Sequence, residues 1–107
     1  MIRPMPGEEL GHHLQTAISE AVDGWDGIDL RVKPDTVLDT CRYLREAPDL
    51  QFNLLNAISA VDYVDHFELV YHLTSTVHHH SAVLKVRLFG REEPSVASVI
   101  DVWQGAD

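Results

Sequence analysis

Two stretches of this chain place an apolar side chain at every second position, and they constrain its fold most. Phe67, Leu69, Tyr71 and Leu73 alternate with His66, Glu68, Val70 and His72. Further on, Leu84, Val86 and Leu88 alternate with Lys85, Arg87 and Phe89. Successive side chains of a strand point to opposite faces, so a period of two marks a sheet with one buried face. The polar stretch Ser75–Ser81 between them predicts a hairpin loop. Such a hairpin needs a second layer over its apolar face, and in a mixed chain helices supply it.

The helices are visible upstream. From Glu8, Leu10, Leu14, Ala17, Ile18 and Ala21 share one helical face, and Gly24 is expected to end that helix. Ile28, Leu30 and Val32 alternate with Asp29 and Arg31, predicting a strand after Gly27. Pro34 closes that strand and suits a first helical position, with Asp35 in the first turn. Val37, Cys41 and Leu44, with Leu38 beside them, form the stripe of a second helix that stops near Pro48. Phe52, Leu55 and Ile58 lie three apart, predicting a helical turn before a segment that becomes extended by Tyr63. Asp62–Asp65 reads as a turn and Gly90–Pro94 as a loop. Ser98 and Asp101 fit the capping pattern of a last, short helix over 98–107. Residues 1–7 read as a loose leader. The expectation is a single α+β domain over 1–107, in the order α-β-α-β-β-β-α. Its mostly antiparallel sheet has about four strands, with helices packed on one face.

The formal charge of −9, with 8 basic residues scattered along the chain, argues against nucleic acid and against anionic lipid. No apolar run approaches the roughly 20 residues that span a bilayer. A single cysteine cannot close an internal disulfide. These features predict a cytoplasmic protein that reaches a membrane only through a partner.

The chain offers few groups suited to catalysis or metal binding. His78, His79 and His80 are consecutive, but structural zinc sites use spaced ligand pairs, and Cys41 is the only thiol. Adjacent His12 and His13 point to different sides of a helix. Cys41 sits on an apolar stripe and reads as a small buried hydrophobe. Asp62, Asp65 and Glu68 could pair for acid–base work if buried, but read as turn formers and surface charge. Gly24-Trp-Asp-Gly27 lacks both the P-loop lysine and the dinucleotide-binding glycines. No catalytic, metal-ligating or cofactor-binding residue is assigned, and no cofactor is expected.

Three segments carry a resemblance. Phe52-Asn-Leu-Leu-Asn-Ala-Ile-Ser-Ala-Val-Asp-Tyr63 ends on an apolar stretch followed by Val-Asp-Tyr. Phe67-Glu-Leu-Val-Tyr-His-Leu-Thr-Ser75 follows, and then Leu84-Lys-Val-Arg87 with Pro94-Ser-Val-Ala-Ser-Val-Ile-Asp-Val-Trp103. In order and spacing these resemble the 30 kDa subunit family of NADH:quinone oxidoreductase (respiratory complex I), whose bacterial members are the C subunits of that enzyme. Residues 1–51 fit in element order only. In that family the chain continues past Trp103 into Ala-Asn-Trp and Glu-Arg-Glu. This one reads Gln104-Gly-Ala-Asp107 and stops before that signature, as a fragment cut at a domain edge or a shortened homologue would.

The resemblance implies a non-catalytic member of the hydrophilic arm, without flavin or iron–sulfur cluster, packed against the large quinone-site subunit. It implies a place peripheral to the inner face of the membrane. Val99, Val102 and Trp103 fall on one helical face and are expected at the partner interface, Trp103 as anchor, together with Asp62. Closure of the core by Trp103 is the competing expectation. Two other readings remain: a subunit of a membrane-bound hydrogenase-type complex, and a stand-alone metal- or ligand-binding module built on the His78–His80 loop.

Overall fold

The computed structural model describes residues 1–89 together with Val102 and Trp103. In chain order the elements are β1 (Arg3–Pro4), α1 (Gly7–Ala17), β2 (Val22–Asp26), β3 (Asp29–Val32), a 3-10 turn (Pro34–Thr36), α2 (Val37–Glu46), β4 (Leu54–Asp62), β5 (Phe67–Ser75) and β6 (His80–Leu88). Val102 and Trp103 are helical, but the rest of the expected last helix lies outside the described residues.

The hairpin forms as the alternation requires. β5 and β6 pair antiparallel from Phe67 opposite Leu88 to Ser75 opposite His80. Ser75 Oγ accepts the His78 amide at 3.0 Å, which closes the turn. One parity of both strands lines the core, Leu69, Tyr71 and Leu73 on β5 and Leu84, Val86 and Leu88 on β6, while Glu68 and Val70 of the other parity are also buried. Phe67 departs from this row, being 48% exposed at the strand's open end.

The sheet runs β2-β3-β6-β5-β4, with β1 beside the start of β6. β3 pairs with β6 in parallel, Leu30 opposite Leu84 and Val32 opposite Val86. The pairs β2–β3, β4–β5 and β5–β6 are antiparallel. The sheet is therefore mostly antiparallel, but six strands among the described residues replace the expected four. β3, α2 and β4 form a crossover between parallel strands, and the β5–β6 hairpin fills the space between them.

Two strands run against the expectation from sequence. Arg3–Pro4, in the expected leader, pairs in parallel with His80–Ser81, and Met5 is buried. β2 replaces the expected last turn of α1, which ends at Ala17 well before Gly24. Ala21 is buried, as its place on the helical stripe suggested, but from a connection. Gly27 turns the β2–β3 hairpin at φ 59°, a conformation other L-residues resist. Its carbonyl accepts the Gly7 amide at 2.8 Å. A Cβ on Gly7 would run into the Asp29 carbonyl, so glycine there lets α1 start flush against the hairpin.

The helical turn expected at Phe52–Ile58 is instead strand from Leu54 onward, and a β-bulge explains the misleading spacing. Leu55 lies opposite Leu73 and Ile58 opposite Tyr71, with the register shifting between Leu55 and Ala57. The extra residue brings Leu55 and Ile58 to the same face although they are three apart.

α1 buries Leu10 and Leu14, and α2 buries Val37, Cys41 and Leu44, in one cluster with the inward rows of β3, β5 and β6. Each such side chain contributes roughly 1.5–3 kcal/mol on full burial. Tyr43 Oη donates to the His13 carbonyl at 3.1 Å and ties the helices together. The other sheet face carries no helix among the described residues.

Candidate interaction surface

β4 is an edge strand. Among the described residues only β5 pairs with it. Its nine residues are Leu-Leu-Asn-Ala-Ile-Ser-Ala-Val-Asp, with no proline, glycine or lysine. Leu54 and Val61 are exposed, and Leu55 and Ile58 only half-covered. At one end, Asn53 Oδ1 accepts the Thr76 amide at 2.9 Å and Thr74 Oγ1 donates to Asn56 Oδ1 at 2.6 Å, fixing the strand to β5.

The interface residues expected from the sequence bracket this strand without converging. The Trp103 indole donates to the Phe52 carbonyl at 2.7 Å, just before β4 begins. Trp103 and Val102 are half-buried and pack against the core cluster. Asp62 is exposed at the far end of β4. Asp62 lies ten positions after Phe52, roughly 30 Å at strand rise. Val99 lies outside the described residues.

The open sheet face holds an ion-pair chain that sequence reasoning missed. Lys85 Nζ lies 2.9 Å from Asp29 Oδ2 and 3.9 Å from Glu68 Oε1, while Arg87 Nε lies 3.5 Å from Glu68 Oε2. Arg31 Nε adds Asp23 Oδ2 at 3.4 Å. The hydrogen bond to Asp29, with its charge, holds Lys85 above the usual lysine range. Glu68, expected from sequence as surface charge, is 6% exposed. The available signal was parity: Glu68, Lys85, Arg87 and Asp29 occupy the outward positions of adjacent strands.

Asp65 does lie at the surface of the β4–β5 turn. His66 Nδ1 donates to its carboxylate at 2.7 Å, and this bond holds Asp65 below the usual carboxylate range. The His66 ring stacks on Tyr63 with centroids 4.7 Å apart.

The histidine loop is occupied with structure. His78 Nε2 donates to the Pro48 carbonyl at 2.7 Å and His80 Nε2 to the Leu50 carbonyl at 3.0 Å. The β5–β6 hairpin is thereby pinned to the α2–β4 connection. His79 occupies the turn at φ 57°. Among the described residues no three His, Cys, Asp or Glu side chains converge as metal ligands. Cys41 is fully buried, and burial pushes its thiol up to about 12. A thiol held so far from ionisation is a poor nucleophile. No described helix is long and apolar enough to cross a membrane.

Comparison with known proteins adds three findings. The family described as respiratory-chain NADH dehydrogenase, 30 Kd subunit, matches residues 30–107. An NADH-quinone oxidoreductase C subunit of Roseiflexus castenholzii is 36% identical over 101 residues, covering 88% of this chain and 58% of that protein. An NADH-quinone oxidoreductase C subunit of Rhizobium etli is 40% identical over 85 residues, covering 76% and 44%. The chain thus spans about half the length of these curated relatives. Among solved structures, a chain of the membrane-bound sulfane sulfur reductase, an archaeal respiratory membrane complex, superposes with a TM-score of 0.55 at 30% identity, over 76% of this chain and 49% of that one.

Proposed function

Because the chain belongs to the respiratory-chain NADH dehydrogenase 30 Kd subunit family, we propose that it is a non-catalytic packing subunit of a proton-pumping NADH:quinone oxidoreductase. It sits in the hydrophilic arm, on the cytoplasmic side of the membrane, and supports electron transfer by holding the large quinone-site subunit in place. The family match carries this reading, because it takes in the whole chain from Leu30 onward. The chemistry of the described residues agrees with it. The one thiol is buried, His78 and His80 bond to carbonyls, and Glu68 is held between Lys85 and Arg87. Trp103, Val102, Val99 and Asp62 mark the borders of the docking surface in this proposal.

The test is recovery of assembled complex. Affinity-tagged full chain, expressed in its native host, should bring down the large subunit from solubilised membranes, with NADH:quinone activity in the same fraction. By itself the purified chain should oxidise no NADH. Recovery of the chain free of every other subunit would overturn the reading.

The likeness to the sulfane sulfur reductase chain favours a second reading, a place in a different membrane-bound respiratory complex. The two separate on the electron donor: NADH-dependent quinone reduction in the recovered complex supports the first, and its absence from an intact complex supports the second.

A further inference from the structure

Among the described residues, the two edges of the sheet are unlike. β2 is five residues long, carries Asp23 and Asp26, and is broken by a bulge between Val22 and Gly24. Short length, charge and bulges are the devices that keep a sheet edge from pairing with another chain. β4 has nearly twice the length, and its sole charge is Asp62 at the extreme end. Its own bulge lies near the start, leaving Ala57–Asp62 in unbroken register with β5. Both faces of that stretch are apolar or small: Ile58 and Ala60 on the helix side, Ala57 and Val61 on the open side.

An outward row of backbone amides and carbonyls between such side chains fits one kind of ligand, an extended segment of another chain. We propose that β4 docks the complex by taking a strand from the large subunit, apolar at alternate positions and carrying a Lys or Arg opposite Asp62. This rests on the packing-subunit reading above. Charge selects the occupant: a second copy of this chain would bring its own −9 against the first, whereas a basic segment meets attraction. Trp103, bonded at the Phe52 end, then closes one limit of the added strand, and Asp62 closes the other.

The test uses proline at neighbouring positions. In an antiparallel pair, successive amides point alternately toward the partner strand and away from it. Of Ser59→Pro and Ala60→Pro, one removes a hydrogen bond to β5 and the other removes an outward donor. The first should melt well below the unsubstituted chain. The second should keep its melting temperature yet recover at least ten-fold less large subunit from membranes. In parallel, hydrogen exchange on the unsubstituted chain should slow at every second amide of Ala57–Asp62 on assembly. Undiminished recovery with the fold-neutral proline overturns the inference while leaving the packing-subunit reading intact. Alternate amides that stay fast in the complex, or are already slow in the free chain, also overturn it, and this holds even where both prolines unfold. Failure of the unsubstituted chain to recover any large subunit sinks the underlying reading instead.

Discussion

Trp103→Ala separates the two roles open to that residue. The indole donates to the Phe52 carbonyl at 2.7 Å, and the ring is half-buried against the core. A net hydrogen bond contributes about 1 kcal/mol. Full truncation of a core tryptophan costs roughly 3–5 kcal/mol, so a half-buried one should cost about 2 kcal/mol. For a domain of this size that lowers the melting temperature by roughly 10 °C. Trp103→Phe keeps most of the packing and orphans only the carbonyl, so its loss should be about half as large. Thermal unfolding followed by circular dichroism reads both variants, and recovery of the large subunit well below both midpoints reads docking. An unchanged melting temperature for Trp103→Ala would refute the packing argument. A lowered midpoint with undiminished recovery would refute the anchor role.

Cys41 makes the fold alkali-sensitive. Its thiol is raised from 9.0 to about 12 in the folded chain, so stability is whole below pH 9 and drains away as pH rises toward 12. The loss at the upper end is at most about 4 kcal/mol. Melting curves from pH 8 to 11 should show this slope, shallower in Cys41→Ala; equal slopes would remove Cys41 as its source. Val86→Ala, at a fully buried position in mid-sheet, should cost on the order of 2–4 kcal/mol in denaturant titration, and a change below about 0.5 kcal/mol would mean the site is not packed as described. Glu68→Gln should destabilise by about 1 kcal/mol, since its partners Lys85 and Arg87 remain solvent-screened. That difference should shrink in molar salt, and a salt-independent loss would point to packing instead of charge.

Alternation and helical stripes encode structure locally, and the elements they encode were legible in the chain. The β5–β6 hairpin, the strand Asp29–Val32, the buried stripe of α2 and the turn before Phe67 are each set by side chains a few residues apart. The resemblance likewise rested on residues contiguous in the chain. Other features depend on partners distant in sequence and emerge only when the chain is folded. Arg3–Pro4 becomes a strand because β6 offers it an edge. Val22 and Asp23 leave the expected helix because a hairpin around Gly27 pairs β2 with β3. Leu55 and Ile58 share a face through a bulge that counterfeits helical spacing. Parity set Glu68 on the outward face, but its pairing with Lys85 and Arg87 depends on the neighbouring strand. The candidate surface is of the same kind. Asp62 and Trp103 were readable as residues, but their places at opposite ends of one exposed strand follow from sheet order, which no local pattern in the chain specifies.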